Sequence, residues 1–579
     1  NIAGLTSSQL IAFSADQIDA LNTNQLRSLT ARQISSLIEA QVQTLSTQAL
    51  SALQTTQIQA LLSGQVAWLD TEQLASLSTD QLITITTSQI EALSDAQIAG
   101  LTTKQISSLT TRQVLALNTY QLQALETEDF ERLTTSQIAA LTTKQIASLN
   151  AAEIVALSTQ QASSLSALQI KALTTDQISA LETDDLKVFS TSQIQAILSS
   201  QITALSTNQL IDLSTNQIRS LLTAQVRAFS ADEITALTTA QVSSLTTLQL
   251  AAFTGSQISA IETIDLITLA TNQILAFKTD QVRALTTDQI SELTTTQTRA
   301  LGTLQLKAFT TDQLPSFTTD QIASFSTTQL PSLLTTQIRV FGIDQLAALT
   351  TQQIRSLAAT QIAALSTSQI PSIETEDIAA LTTAQVQALS TMQFQALSID
   401  QTSSLTTAQV RSLSLAQAKS LTTDQIENLT TGQVMALSVA NLQAMSTAQM
   451  NSMETNDFAV LLTNQIAAIS VTQIKGLATG QIAAITTAQV RGLTAVQLKT
   501  LSTEQIVSID ADAVGVFTQA QIQALTGPQL AQLGANQIDA LGSMQIQAFA
   551  AAQVPFLSTS TFAAFSADQI SFYPTNGGD

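Results

Sequence analysis

An eight-residue unit runs the length of this chain without a slip in register. It is seen in Leu101-Thr-Thr-Lys-Gln-Ile-Ser-Ser108 and the directly following Leu109-Thr-Thr-Arg-Gln-Val-Leu-Ala116. With its positions named a to h, a is usually Leu or Phe, b Thr or Ser, e nearly always Gln, f Ile, Val or Leu, and h Ala or Ser. Position a falls on residues 5, 13, 21 and every eighth residue onward to Leu557, Phe565 and Tyr573, so about 72 octads fill almost all of the 579 residues. A strict short period means a solenoid, in which each unit contacts its neighbours and burial accumulates along the length.

The octad carries a complete helix-start signal. Thr/Ser at b and Gln at e are three apart, the spacing of the capping box, and the apolar residues at a and f form the hydrophobic staple around it. The next start arrives eight residues later, so each helix lasts one to two turns. Charge agrees with this frame: Asp176, Asp280, Asp320 and Asp424 lie at d, in the first turn, and fifteen of the 21 basic residues, among them Lys171, Arg219 and Arg411, lie at g, near the end. One uninterrupted helix is excluded, because eight residues turn an ideal helix by roughly 800° and the apolar stripe would drift about 80° per repeat. Pro315, Pro331, Pro371 and Pro555 all fall at g, where a continuing helix would lose a hydrogen bond and clash. The expected fold is an all-α solenoid of very short capped helices, one per octad. Its rival is a β-solenoid with Gln and Thr ladders, disfavoured by the polar run from b to e, which breaks period-two alternation.

No linker or composition shift interrupts the repeat, so residues 1–573 read as one continuous solenoid and 574–579 as a tail. The chain begins at Asn1 with no charged-then-apolar leader, as expected of a processed chain or a piece of something longer. Apolar content of 44% is that of folded protein. A net charge of −21 argues against nucleic acid and anionic membranes as partners, and each octad's Thr-Thr-x-Gln interrupts any apolar run long enough to span a bilayer. With no Cys there are no disulfides, which suits an exported protein built without redox chemistry.

With neither His nor Cys, and no GxxxxGK[ST], GxGxxG or GxSxG, no catalytic constellation is visible, and the chain reads as a non-enzyme without a cofactor. One covariation stands out. Wherever b becomes Glu, e becomes Asp, in Glu126 with Asp129, Glu182 with Asp185, Glu262 with Asp265, Glu374 with Asp377 and Glu454 with Asp457. The favoured account is a swapped capping box copied by duplication; the other is a weak Ca²⁺ site, for which further oxygen ligands are needed. Leu replaces the capping residue at Leu62, Leu198, Leu222, Leu334 and Leu462, which is expected to widen the buried stripe and otherwise to mark lateral contacts. Trp68 and Tyr120 read as packing or surface residues. Gly577-Gly578-Asp579 reads as a plain end, though a glycine-rich Ca²⁺ nonapeptide begins the same way.

The octad, as in Leu141-Thr-Thr-Lys-Gln-Ile-Ala-Ser148 and Leu405-Thr-Thr-Ala-Gln-Val-Arg-Ser412, resembles the short-repeat tracts of very large secreted bacterial surface and adhesin-like proteins. The resemblance covers nearly the whole chain and implies an exported, extended, structural role at the cell surface, with no catalytic residues to carry over. The opening Leu-Thr-x-x-Gln-Val is also similar to the first helix of TAL-effector repeats, whose second helix, base-reading loop and longer spacing are missing here. The expected function is a rod, stalk or filament that self-associates end to end or laterally. The alternatives are an adhesin or ligand-binding solenoid and, further off, an ice-binding array of Thr pairs.

Overall fold

The computed structural model describes residues 2–557 and 559–571. Tyr573 and the expected tail 574–579, with its Gly577-Gly578-Asp579, lie outside the described residues. Two units are distinguished, Asn1–Glu292 and Leu293–Asp579, and the same local structure repeats in each.

Each octad makes one helix of four to six residues, or a 3₁₀ turn of three, and no β-strand occurs among the described residues. Thr102 shows how a helix starts. Its backbone is extended (φ −72°, ψ 151°), its N–H donates to Gln105 Oε1 at 2.9 Å, and its hydroxyl accepts the Gln105 N–H at 3.3 Å. The helix Thr103–Ser108 stops because Leu109 turns extended again (φ −54°, ψ 136°), placing the next capping residue, Thr110, at the next start. Only the a and b residues are extended between helices, too few to form a ladder, so the β-solenoid alternative fails.

The four prolines at g have the expected effect, since Leu314–Ser316, Leu330–Ser332, Ile370–Ser372 and Val554–Phe556 are 3₁₀ turns. Proline removes the N–H that position g can donate to position c, as Arg227 does to the Thr223 carbonyl at 3.1 Å. The leucines at b depart from expectation. Leu62 is 57% exposed and Leu198, Leu222, Leu334 and Leu462 are 43–49% exposed, so they leave the buried stripe unwidened. The reason is geometric: a capping side chain points back along the helix surface, away from the face formed by a and f. Their N–H groups still donate to the glutamine, as Leu62 does to Gln65 Oε1 at 2.7 Å.

Within each unit a helix packs chiefly on the helices three octads away, as Thr87–Ala92 does on Ser63–Ala67 and Thr111–Ala116. Side-chain bonds join residues 25 to 31 apart, which makes a turn about three and a half octads. The f side chains fill the axis, Leu122 and Ile138 being fully buried, and the a side chains pack around them, with Leu125 and Leu141 at 5% and 3% exposure. Successive a residues touch where they are aromatic, Phe309 on Phe317 edge to face at 5.1 Å and Phe317 on Phe325 at 5.6 Å. Position h is small because position c of the preceding turn leans on it: a Cβ built on Gly100 falls 2.8 Å from the Thr71 side chain.

Candidate functional site

The recurrent polar centre of the fold is the glutamine at e. One end of its amide closes the capping box and the other reaches the preceding turn. Gln121, fully buried, accepts the Asn118 N–H at 2.8 Å through Oε1, while its Nε2 donates to the carbonyls of Ile90 and Leu93 at 2.9 and 2.6 Å. The same bonds, to residues 31 and 28 back, recur at Gln65, Gln177, Gln281, Gln409 and Gln521. Gln9 and Gln17 are exposed and Gln25 half-buried, with no turn among the described residues lying 28 residues before them, so full burial of the amide follows from the inter-turn contact. The capping-box reading of the sequence assigned Gln only its local role. The missed signal was the choice of Gln over Glu, since Glu closes the same box but carries no N–H₂ to donate.

A second set of links starts at g. Arg27 Nε donates to the Ala52 carbonyl at 2.9 Å, Gln195 to Ser220 at 3.0 Å and Gln387 to Ser412 at 2.7 Å, each 25 residues on. Lys187 joins Asp184 at 3.1 Å and, one turn on, Asp212 at 3.3 Å.

The five Glu/Asp octads break this pattern. Glu126, Glu182, Glu262, Glu374 and Glu454 start their helices with no side-chain cap bond, so the expected swapped capping box is not formed. Asp129, Asp185, Asp265, Asp377 and Asp457 are buried at the glutamine's place. Aspartate is one methylene shorter than glutamine and has no amide donor. Burial first, then Glu182 and Asp184, push Asp185 up to about 6, and its Oδ2 has no partner. Burial likewise raises Asp377, which the Thr351 hydroxyl partly offsets, and Asp457. As for Ca²⁺, no group of three or more acidic side chains converges among the described residues. The surface depressions lie between turns, as where Thr335, Arg339, Thr367 and Met392 meet. Tyr120 is 71% exposed and Trp68 half-buried.

The hexapeptide Ala236-Leu237-Thr238-Thr239-Ala240-Gln241 contains one complete joint of this architecture: helix end, connector, cap and inter-turn glutamine. A profile of the ALTTAQ repeat matches residues 66–103, 122–159, 178–215, 210–247, 258–295, 295–327, 370–407 and 450–487, about half of the chain. The chain belongs to the ALTTAQ repeat family. ALTTAQ matches starting at 66, 122 and 178 are 56 residues apart, seven octads or two turns of the solenoid, and all three begin at position f. No curated protein matches the chain. Solved structures similar to it include the pentatricopeptide repeat protein PPR10 from maize, at 10% identity over 99% of this chain and 93% of that one with a TM-score of 0.16. Another is APUM23-GGAAUUGACGG, at 10% identity over 98% and 97% with a TM-score of 0.11. At these scores neither bears on the fold or on a ligand.

No helix among the described residues is long and apolar enough to cross a membrane.

Proposed function

We propose that this ALTTAQ repeat chain is a non-enzymatic structural solenoid, an exported spacer or stalk at a bacterial surface that self-associates. The observation that supports this most is the use made of glutamine. The commonest strong hydrogen-bonding side chain of the repeat is spent on joining turns, as Gln121 is, and what remains outside at b, c, d and g is mostly small and neutral, without His or Cys. Such a surface suits distance and rigidity better than recognition. The acidic balance disfavours phosphate backbones as partners. Lateral association would use the exposed leucines at b, of which Leu222 and Leu334 are about half exposed. An ice-binding face is a weaker reading, because the methyl of a c-position threonine such as Thr71 packs toward position h of the next turn.

The test combines small-angle scattering on the full chain and on versions shortened by whole turns with surface labelling of the producing cells. A maximum dimension that grows in proportion to the octads retained, together with labelling of intact cells, supports the proposal. A compact particle, or label found only after lysis, overturns it. Replacing Leu222 and Leu334 with Thr is expected to lower the sedimenting mass without changing far-UV circular dichroism.

A further inference from the structure

At Glu153 the octad Leu149–Ala156 carries an acid in place of the inter-turn glutamine. Its Oε2 does what glutamine Oε1 does, accepting the N–H of Asn150 at 2.7 Å. Its other oxygen, Oε1, is buried with no partner, and the residue is 1% exposed. In the octads on either side that place belongs to a donating nitrogen: Gln145 Nε2 bonds the carbonyls of Val114 and Leu117 at 3.0 and 2.8 Å, and Gln161 Nε2 those of Phe130 and Leu133 at 3.0 and 2.7 Å. By the same register, 31 and 28 residues back, the acceptors for Glu153 are the carbonyls of Leu122 and Leu125. The Leu122 carbonyl already takes the Leu125 N–H at 3.3 Å, while no donor reaches the Leu125 carbonyl among the described residues.

An ionised carboxylate would set a negative oxygen against two carbonyl dipoles in a dry contact, which is costly. A neutral carboxylic acid has an acceptor and one O–H donor, and so restores one of the two inter-turn bonds that the glutamine N–H₂ makes. We propose that Glu153 is a proton-operated clasp: protonated on Oε1, it donates to the open carbonyl of Leu125 and joins two turns, and loss of that proton releases them.

Burial raises the Glu153 carboxyl above the usual carboxylate range, opposed by the Asn150 N–H. The helix Ala151–Val155 packs on Thr127–Arg132 and Thr175–Ala180. Their charged residues are Glu128, Asp129, Glu131, Arg132 and Asp176, and Lys144 lies on the helix before it. None of these is the cause of the shift, so the clasp answers to its own proton. A raised folded value means that the folded state holds the proton more tightly than the unfolded chain. The link is therefore complete below the ordinary glutamate range and is lost as pH rises through the folded value.

Hydrogen exchange by mass spectrometry on the full chain between pH 4 and pH 8, corrected for intrinsic exchange, tests this in the wild type and in Glu153→Gln. Glutamine is the residue of most other octads, so this variant is expected to fold. The proposal expects peptides over 122–126 and 150–157 to open about 10-fold faster at pH 8 than at pH 4 in the wild type and equally at both in Glu153→Gln, the size expected for one buried hydrogen bond made at pH 4 and lost at pH 8. Peptides around Gln241 and its acceptors serve as the internal control. The same pH profile in both proteins, or a wild-type clasp that opens at pH 4 as readily as at pH 8, would overturn it.

Discussion

Gln121 donates from Nε2 to the carbonyl of Leu93, 28 residues earlier, at 2.6 Å, and the bond is fully buried. The same amide, through Oε1, caps its own helix at Asn118. One side chain thus starts a helix and ties it to the turn below.

Gln121→Leu keeps the volume and removes both functions. It leaves the buried carbonyl of Leu93 and the N–H of Asn118 without their partner, at about 1–3 kcal/mol for each group left unsatisfied, while the Ile90 carbonyl keeps only the Leu93 N–H at 3.2 Å. A local loss of several kcal/mol is expected, read as faster hydrogen exchange over 90–94 and 118–124. Gln9→Leu in the first turn, where the side chain is exposed and only caps Thr6 at 2.9 Å, is expected to cost ~0.5–1.5 kcal/mol. Equal costs at the two positions would refute the inter-turn role.

Deleting a buried axial side chain tests the core. Leu122→Ala is expected to cost about 2–5 kcal/mol, because Leu122 is fully buried. Leu62→Ala, at a half-exposed capping position, is expected to change thermal stability by less than ~0.5 kcal/mol.

Two glycines at h separate a yielding contact from a rigid one. A Cβ on Gly476 meets the Thr447 methyl at 2.5 Å, whereas one on Gly492 meets the Thr463 backbone carbonyl oxygen at 2.6 Å as well as its methyl. Gly476→Ala is expected to destabilise mildly and to be rescued by Thr447→Ser, which deletes the methyl. Gly492→Ala is expected to cost about 1–3 kcal/mol by overpacking and to gain little from Thr463→Ser, since the backbone oxygen stays. Thermal denaturation of the singles and doubles measures both.

Asp185 makes a further acid-dependent position. Its carboxyl is pushed up to about 6 by burial, then by Glu182 and Asp184, from the usual 3.8. The folded state therefore favours the protonated form below the ordinary value, and that contribution disappears as pH rises past about 6. Asp185→Asn, for which Asn441 bonding the Leu413 carbonyl at 3.2 Å is the precedent, is expected to melt with the wild type at pH 4 and above it at pH 8. A constant difference across that range would contradict the assignment.

Calcium gives a separate reading of the acid pairs. With no three acids converging among the described residues, adding Ca²⁺ or a chelator is expected to leave both the far-UV spectrum and the melting temperature unchanged.

The helix of each octad was legible in the sequence because its determinants are local: Thr102, Gln105 and the next start at Thr110 lie within one repeat, and hydrogen bonds between residues three apart need no tertiary partner. The apolar pair at a and f was legible for the same reason, as were the prolines at g. What lay beyond the sequence depends on distance in space. The number of octads per turn follows from where the helix ends aim the chain and how c packs on h, as Thr71 does on Gly100. Only when residue 121 comes to lie beside residue 93 does the second end of its amide acquire acceptors. The same applies to Glu153 and to the aspartates of the Glu/Asp octads, which look like solvated surface charges in one repeat and become buried groups once another turn covers them. The repeat by itself determined the helices and the face they bury, because a capping box closes within eight residues. Tertiary structure alone decided which polar groups are sealed between turns, because that requires a second turn about 28 residues away.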